Sequence, residues 1–292
     1  MSARLAGKIA AVTGGGRGVG REVALAFARE GAAVVVADLG VELDGTGGSP
    51  LPAEEVATAI RVAGGEARAH AADVGDPGEA ESLVRNAVDE LGRLDILVNA
   101  AGILRQGTIF EQTREDWEAT LRVHLDGTFN TTRAAAAHWR ESGRGGRLIN
   151  VGSDAGLYGV EDSVAYAAAK AGVSVLTLSC AETLRPYGVT ANVFHPQAAT
   201  RMTGSIPRDR LPEPERWETD EFDPAHVPPA LVYLASDEAG WITGCVLAGF
   251  GYEVHLYSLP RRVRSLYSPG PWELDVLFDR FRQVFEPALS AR

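Results

Sequence analysis

Cysteine is scarce in this chain, and its scarcity argues against two classes of protein. Only Cys180 and Cys245 occur among the 292 residues. Two cysteines this far apart make no disulfide framework, and they lack the spacing of a metal site. The composition therefore predicts a protein of the reducing cytoplasm that binds no metal.

Long apolar runs and an excess of basic residues are also missing. The N-terminal stretch has no long apolar segment with a cleavage site, and no uncharged stretch approaches membrane-spanning length. Lys and Arg number 28 against 39 Asp and Glu, which leaves a net charge of −11. Because nucleic acids are bound by clustered basic side chains, we predict neither a nucleic-acid nor a membrane partner. An anionic substrate is not excluded, since local basic groups can bind one.

Short apolar runs alternate with helical patterns, and no internal repeat is visible. The length and a hydrophobic content of 45% suit one large α/β domain. The predicted strands cover residues 8–13, 33–37, 66–72, 93–98, 145–151, 189–194 and 245–248, the last being the final sheet strand. The predicted helices cover 21–30, 53–63, 77–91, 113–140, 163–184, 225–234 and 272–285. This alternation predicts a doubly wound parallel sheet of about seven strands.

A glycine-rich turn separates the first predicted strand from the first helix. It has the form T-G-x-x-x-G-x-G, with Gly14, Gly18 and Gly20 as its fixed points. Glycines let the backbone approach a pyrophosphate, and the helix N-terminus offers N–H donors. A glycine cluster alone often marks only a turn. Its place between strand and helix favours a nucleotide-binding loop.

Asp38 ends the second predicted strand, about twenty residues after the glycine turn, where an acid accepts hydrogen bonds from the ribose hydroxyls of NAD. The same carboxylate would repel the extra phosphate of NADP. Arg17 argues the other way, because a guanidinium in the turn can pair with that phosphate. We weigh Asp38 more heavily and predict NAD rather than NADP. A role for Asp38 as a mere strand-end cap is the weaker interpretation.

Ser153, Tyr166 and Lys170 form a candidate catalytic set. Tyr166 and Lys170 are four positions apart, so on a helix they share one face. A nearby ammonium favours phenolate, so we expect Lys170 to lower the pKa of Tyr166. Ser153, at the end of the preceding strand, can donate to the same substrate oxygen. Since Tyr–Lys pairs at this spacing are ordinary surface features, the prediction depends on the upstream motifs.

Together these elements give the chain a family resemblance over about 250 residues. The T-G-x-x-x-G-x-G turn, Asp73-Val74, the N-A-A-G run at 99–102, Ser153 and Y-x-x-x-K occur in the order of the short-chain dehydrogenase/reductase superfamily. The resemblance implies a single Rossmann-like domain over residues 1–250 and usually a homodimer or homotetramer. The helices from Thr113 and from Ser163 would form the usual dimer face.

The resemblance also implies roles for individual residues. Tyr166 would be the general acid/base, Lys170 would hold the nicotinamide ribose, and Ser153 would orient the substrate carbonyl. The implied cofactor contacts are Gly14, Arg17, Gly18, Val19, Gly20, Asp38, Asp73, Val74, Asn99, Ala100, Ala101, Gly102, Tyr166, Lys170, Pro196 and Thr200. Two positions depart from the family pattern. His124 stands where the family has a catalytic Asn, and it would either hold a relay water or fill the space. Gln197 follows Pro196 where Pro-Gly is usual.

One branch of the superfamily is closest in motif. The D-L-G with its glycine-rich insertion, the V-H-L-x-G run and the segment H-P-Q-A-A-T-R-M-T are similar to the (3R)-hydroxyacyl-CoA dehydrogenase domains of peroxisomal multifunctional enzymes. This similarity implies that a 3-hydroxyacyl thioester is oxidised or the corresponding ketone reduced. A steroid, a polyketide intermediate or a xenobiotic alcohol remains an alternative substrate. A catalytically idle, NAD-binding assembly subunit is the alternative from another class.

Two segments lie outside the repeating pattern. Residues 203–225 are polar and Pro-rich, and their place after the sixth strand predicts a mobile lid over the substrate. Residues 251–292 form a C-terminal extension predicted to pack on the same domain or a neighbouring subunit. Its Arg261, Arg262 and Arg264 could meet CoA phosphates, although a solvated face or a subunit contact is the favoured interpretation.

Overall fold

Strands from the whole length of the catalytic region form one sheet in this computed structural model, which describes residues 3–208 and 215–289. The strands are β1 (Ile9–Thr13), β2 (Ala33–Ala37), β3 (Ala67–His70), β4 (Ile96–Asn99), β5 (Gly146–Val151), β6 (Val189–Gln197), β7 (Val246–Phe250) and β8 (Glu253–Leu256). Their order is β3-β2-β1-β4-β5-β6-β7-β8, with β8 antiparallel to β7 and the others parallel. The strand order reverses between β1 and β4, which creates a crevice at their carboxyl ends.

Helices cover both faces of this sheet. They are α1 (Gly18–Arg29), α2 (Leu51–Val62), α3 (Pro77–Leu91), α4 (Arg114–Leu121), α5 (Gly127–Ser142), α6 (Ala155–Tyr158), α7 (Val164–Leu184) and α8 (Pro228–Ala235). One apolar cluster packs α1, α2 and α8 on the sheet, and a second packs α3, α5 and α7 on the opposite face. The predicted doubly wound α/β architecture is confirmed.

Local sequence signals account for several element ends. The side chain of Asp76 accepts hydrogen bonds from the N–H groups of Gly78 and Glu79, and Pro77 occupies the first helical turn of α3. Gly92 ends that helix at φ 93°, a left-handed conformation that glycine adopts without a steric penalty. The bounds of α3 therefore match the predicted range of 77–91.

The sheet has one strand more than the sequence pattern indicates. The prediction that 245–248 forms the final strand was wrong, because β8 follows β7. Gly251 turns the chain at φ 56°, and Phe250 then pairs with Glu253. The strand Glu253–Leu256 was not predicted because it is a largely exposed edge strand with polar residues at alternate positions.

The helix predicted over residues 113–140 is not continuous. A π-helical turn, Arg122–Asp126, separates α4 from α5 and places His124 inside the domain. π-Turns insert one residue into a helical ladder and often lie at functional sites. Periodicity alone does not reveal such an insertion, since the apolar pattern on both sides stays helical.

Val164–Tyr187, which comprises α7 and the turn after it, is long and apolar enough by composition to cross a membrane, with a mean hydropathy of 1.4 in its most apolar window. Within the domain this helix packs along β5 and β6, and Lys170 lies near its start. In that window 39% of the residues are buried, as expected for a helix that packs one face on a sheet.

Chain contacts divide the protein into the units 1–257 and 258–292. The second unit contains Arg261, Arg262 and Arg264 and the helix α9 (Leu274–Leu289), which is longer at its C-terminal end than predicted. The predicted packing of the extension remains a prediction. Within the predicted lid, short 3₁₀ turns occupy Thr203–Ser205, Arg216–Glu218 and Asp220–Phe222. Its residues 209–214 lie outside the described part of the chain.

Candidate active site

A large cavity of about 1110 Å³ opens at the carboxyl ends of the central strands. Residues that directly follow β1, β2, β4, β5 and β6 line it, as expected for the ligand crevice of a doubly wound sheet. The cavity brings together most residues predicted from the sequence. These are Gly14, Arg17, Gly18, Val19, Gly20, Asp38, Asp73, Val74, Ala100, Ala101, Gly102, His124, Ser153, Tyr166, Lys170, Pro196 and Thr200.

Asn99 is the predicted cofactor contact that does not line the cavity. It is buried, and its Oδ1 accepts a hydrogen bond from Thr131 at 2.8 Å while its Nδ2 donates to Asn150 at 2.9 Å. Asn99 therefore joins β4 to α5 and β5. Its effect on the cavity is to fix the segment that begins at Ala100.

The glycine turn approaches neighbouring backbone too closely for any other residue. A Cβ on Gly14 would lie 2.7 Å from the Ala100 carbonyl oxygen, and the φ of Gly14 is +64°. A Cβ on Gly20 would lie 2.2 Å from the Gly14 carbonyl oxygen. The turn leads into α1 at Gly18, so free N–H groups of the first helical turn border the cavity. This cradle fits the pyrophosphate of a dinucleotide.

The carboxylate of Asp38 is held by two backbone amides at the end of β2. Its Oδ2 accepts from Gly16 N at 2.8 Å and its Oδ1 from Gly40 N at 2.7 Å. These bonds orient the carboxylate at the cavity wall, where ribose hydroxyls can donate to it. The guanidinium of Arg17 donates to the Val41 carbonyl oxygen at 2.7 Å. Arg201, which the sequence motifs did not assign to the site, donates to the same oxygen at 3.2 Å.

Asp73 and Val74 border the same cavity on the side of α4 and α5. Asp73 pairs with Arg122, whose Nη2 lies 2.6 Å from Oδ2, and the Val74 carbonyl oxygen accepts from Asn130 at 3.1 Å. This ion pair raises the pKa of Arg122 although partial burial opposes the shift. Arg122 also lines the cavity, but no motif marked it.

Tyr166 and Ser153 meet across the cavity wall. Tyr166 lies in the first turns of α7, and Ser153 follows the end of β5, so the helix brings the phenol to the strand end. Burial raises the pKa of Tyr166, and the neighbouring Ser153 side chain opposes this shift. Lys170 lies one turn further along α7, and its Nζ is 5.7 Å from the centre of the Tyr166 ring.

The expected lowering of the Tyr166 pKa by Lys170 is wrong for this structure. The Lys170 Nζ donates to the Val151 carbonyl oxygen at 2.7 Å, and burial lowers the pKa of Lys170 to about 8. Burial of the phenol outweighs the opposing effect of the Ser153 side chain, so the pKa of Tyr166 rises. Sequence spacing placed both groups on one face but could not report their desolvation.

His124 lies behind the phenol in the π-helical turn. Its Nε2 is 2.8 Å from the carbonyl oxygen of Ile103, and its ring meets Tyr166 edge-on with centroids 5.1 Å apart. Burial, reinforced by the charge of Lys170, lowers the pKa of His124 to about 3. The imidazole is therefore neutral at physiological pH. A Cβ on Gly102 would lie 2.5 Å from His124 Cε1, so glycine at that position makes room for the ring.

Two further predicted positions lie beside the glycine turn and on β6. The methyl group of Thr200 lies 3.5 Å from the position of a Cβ on Gly18, as expected for a residue near the pyrophosphate. Pro196 pairs with Gly249 inside the sheet and borders the cavity. Gln197 and Asp154 also line the cavity. Gln197 was marked only as a departure from the usual Pro-Gly, and the only signal for Asp154 was its place next to Ser153.

The family model for short chain dehydrogenases matches residues 8–211. The chain belongs to the short-chain dehydrogenase family. The match spans the glycine turn, Ser153, Tyr166 and Lys170, and ends within the predicted lid. Short-chain dehydrogenases are oxidoreductases that act on small molecules with a nicotinamide cofactor. This establishes the reaction class of the chain.

Individual members of the family resemble the chain over most of its length. "Hydroxyacyl-CoA dehydrogenase ChsB1" of Mycobacterium tuberculosis is 40% identical over 96% of this chain and 89% of its own length. "Peroxisomal multifunctional enzyme type 2" of Drosophila melanogaster is 38% identical over 82% of this chain and 40% of its own length. The crystal structure of a short chain dehydrogenase from Mycobacterium avium has a TM-score of 0.85 and 40% identity, covering 97% of this chain and 96% of that one. The predicted similarity to the dehydrogenase domain of multifunctional enzymes is confirmed.

Proposed function

We propose that the protein interconverts a secondary alcohol and a ketone with NAD as cofactor, and that its substrate is a 3-hydroxyacyl thioester. The observation that carries this proposal is that Tyr166 and Ser153 lie on the wall of one cavity that Asp38 and the glycine turn also line. The donor set and the glycine cradle suit a dinucleotide, and the phenol suits proton transfer at an alcohol oxygen.

Tyr166 and Ser153 have different roles at the substrate oxygen. Ser153 donates a hydrogen bond to that oxygen, and Tyr166 exchanges a proton with it. The protonated phenol, which burial favours, suits the reduction, in which the developing alkoxide must receive a proton. Oxidation requires the phenolate, which the positive charge of an oxidised nicotinamide ring would favour. When bound, the nicotinamide ring supplies the hydride acceptor or donor.

Neutral His124 packs behind the phenol and positions it. Its ring holds the edge of Tyr166, and its Nε2 is bonded to the backbone of Ile103, close to the N-A-A-G run. Because the imidazole stays uncharged, it adds no positive charge beside Lys170. That His124 holds a relay water remains a prediction.

The substrate class rests on motif and similarity. The name of the M. tuberculosis relative, a hydroxyacyl-CoA dehydrogenase, supports an acyl thioester. Steroid, polyketide and xenobiotic alcohols are the competing substrates. An assay panel of 3-hydroxyacyl thioesters and such free alcohols separates these candidate substrates. Formation of the reduced cofactor is the readout. Turnover confined to the free alcohols would refute the thioester assignment.

The preference for NAD rests on the negative charge of Asp38. Its carboxylate is oriented at the wall and would repel a 2′-phosphate. The guanidinium of Arg17, the group suited to such a phosphate, donates to the Val41 carbonyl oxygen. A neutral substitution at Asp38 tests this preference directly.

Replacement of Tyr166 by Phe tests the chemistry. We expect Y166F to lower the rate about 10²- to 10⁴-fold, the usual contribution of a general acid/base, while NADH binding measured by fluorescence is retained. Y158F is the matched control, since Tyr158 is a largely exposed tyrosine of the neighbouring helix α6. Wild-type turnover by Y166F would refute the assignment. NADH binding without activity on any carbonyl by the wild type would favour the idle assembly subunit.

Assembly and compartment are proposed on separate observations. The helices α5 and α7, expected to form a dimer face, expose the apolar side chains of Phe129 and Val175. We propose a homodimer or homotetramer through this face, which light scattering on the purified protein would test.

Cys180 and Cys245 are both free thiols in the structure, and a cytoplasmic setting remains a prediction.

A further inference from the structure

The carboxylate of Asp154, the residue after Ser153, receives hydrogen bonds from three side chains. Its Oδ1 lies 2.9 Å from His195 Nδ1 and 2.9 Å from the Tyr257 hydroxyl. Its Oδ2 accepts from Gln197 Nε2 at 2.9 Å. Asp154 itself lines the cavity. An acid beside the catalytic serine is therefore fixed in one orientation by donors from β6 and from the residue after β8.

His195 forms its hydrogen bond to this carboxylate from inside the domain. Its side chain is 1% exposed, and within the described part of the chain its Nε2 has no hydrogen-bond partner. The polar contact of the ring is thus the one to Asp154. Gly152 leaves the space for it, because a Cβ there would lie 2.4 Å from His195 Cδ2.

Tyr257 holds the same oxygen from outside the cavity. Its backbone N–H bonds to the Val246 carbonyl oxygen at 2.9 Å, which anchors the residue to β7. The centroids of the Tyr257 and His195 rings are 5.7 Å apart. Tyr257 does not line the cavity, so a change to its hydroxyl alters how Asp154 is held without touching a ligand.

The carboxylate stays charged at neutral pH. Burial favours its protonated form, but the hydrogen bonds from His195, Tyr257 and Gln197 prevail and hold the pKa of Asp154 below its ordinary value. With Oδ1 engaged twice and Oδ2 once, a lone pair on Oδ2 remains for a further donor. A partly exposed acceptor that cannot donate thus lies beside Ser153.

The charged groups near Ser153 and Tyr166 include both signs. Lys170 is the cation beside the phenol, and its Nζ donates to the Val151 carbonyl oxygen at 2.7 Å. Glu161, shortly before Tyr166 in the chain, lines the same cavity as Asp154. Arg105 also lines it, but its Nη1 is paired with Asp116 at 3.1 Å. An anionic group placed next to the reacting carbon would therefore face carboxylates.

We propose that Asp154 is a specificity-determining residue that selects the substituent beside the reacting carbon. Its charge excludes a carboxylate at that place and so distinguishes a neutral acyl derivative, such as a thioester, from the free 3-hydroxy acid. Where the neutral substituent carries a hydroxyl or an amide N–H, Oδ2 accepts a hydrogen bond from it. This inference rests on the proposed oxidation of secondary alcohols and adds to it the chemistry of the neighbouring group.

Three probes with one carbon skeleton test the selectivity. They are 3-hydroxybutyramide, which carries N–H donors, methyl 3-hydroxybutyrate, which is neutral without them, and 3-hydroxybutyrate, which is anionic. The wild type should show kcat/KM values that fall in that order. D154N keeps the side-chain volume and removes the charge, and it should reduce the amide-to-acid ratio about tenfold or more, since hydrogen bonds to charged groups are the stronger ones.

Two further variants complete the design. Y257F removes one donor from behind the carboxylate and should reduce the same ratio by a smaller factor, which keeps the test valid if D154N folds poorly. D89N, at an exposed aspartate of α3, should leave all three values unchanged.

The possible results separate the two proposals. An unchanged ratio in D154N and Y257F, or an equal fall for all three probes, would overturn the role of Asp154 while wild-type turnover leaves the proposed function intact. A wild type that oxidises none of the probes and no 3-hydroxybutyryl thioester would overturn both.

Discussion

The Nζ of Lys170 lies 2.7 Å from the carbonyl oxygen of Val151, the last residue of β5. This hydrogen bond ties the helix that carries Tyr166 to the strand that delivers Ser153. Lys170 is 5% exposed, so its charge is held inside the domain at a cost in solvation. Such a buried cation is maintained beside a phenol, as expected for a group that supports proton transfer there.

We expect the removal of Lys170 to affect kcat more strongly than the free energy of unfolding. We expect K170A to reduce kcat about 10²-fold or more, because α7 loses its hydrogen bond to the end of β5 and Tyr166 loses its placement relative to Ser153. Steady-state kinetics with the preferred alcohol would measure the fall. S174A is the control, since it removes a buried hydroxyl of the same helix that bonds only to the Lys170 carbonyl oxygen among the described residues. An equal loss in both variants would contradict a catalytic role.

Gly14 should tolerate no side chain. A Cβ would lie 2.7 Å from the Ala100 carbonyl oxygen and force a left-handed φ on alanine. We expect G14A to abolish measurable NADH binding and to lower the melting temperature. G204A, at a glycine whose Cβ would meet nothing within 4 Å, should change neither property. Isothermal titration calorimetry measures the NADH affinity of both variants. Normal NADH binding by G14A would argue against the glycine turn as the site of the pyrophosphate.

Asp38 should set the cofactor preference. D38N keeps the shape of the side chain but removes its charge, so we expect the ratio of kcat/KM for NAD over NADP to fall about tenfold or more. E42Q, at an exposed acid of the adjoining insertion, should leave the ratio unchanged. A wild type that already prefers NADP would refute the role given to Asp38.

His124 should make the folded protein sensitive to acid. Its folded pKa of about 3 lies below the ordinary value of 6.5, so between these values the unfolded chain binds a proton that the folded protein does not. Stability therefore rises with pH across this window and falls on acidification. We expect the wild type to lose about 2 kcal/mol more of its free energy of unfolding between pH 7 and pH 5 than H124N loses.

Urea denaturation at the two pH values measures this difference. Other groups that titrate in the window, including His70, are present in both proteins and cancel in the comparison. Equal losses in the wild type and H124N would show that His124 is not buried as a neutral ring.

The architecture was largely predictable because its signals are local. Apolar runs of strand length alternate with helical periodicity, and this alternation admits few topologies other than a doubly wound sheet. The eighth strand was missed because Glu253–Leu256 is an edge strand, which buries little and therefore carries a weak pattern. The π-helical turn was missed because one inserted residue leaves the periodicity of α4 and α5 intact.

The candidate site was predictable where spacing alone determines proximity. Tyr166 and Lys170 share a helix, and the glycine turn is a continuous segment, so their arrangement follows from the local chain. Asn99 was assigned to the cofactor by motif, yet its side chain faces a buried network, because alternate residues of a strand point to opposite sides.

By itself, the sequence determined the sheet-and-helix alternation, the phosphate turn and the Ser153, Tyr166 and Lys170 set, since each depends on short-range geometry. Tertiary structure alone decided that burial raises the pKa of Tyr166, and that His195 and Tyr257 converge on Asp154. Desolvation and long-range contacts are properties of the packed chain. They depend on which distant segments exclude water from a group, and no spacing along the chain contains that information.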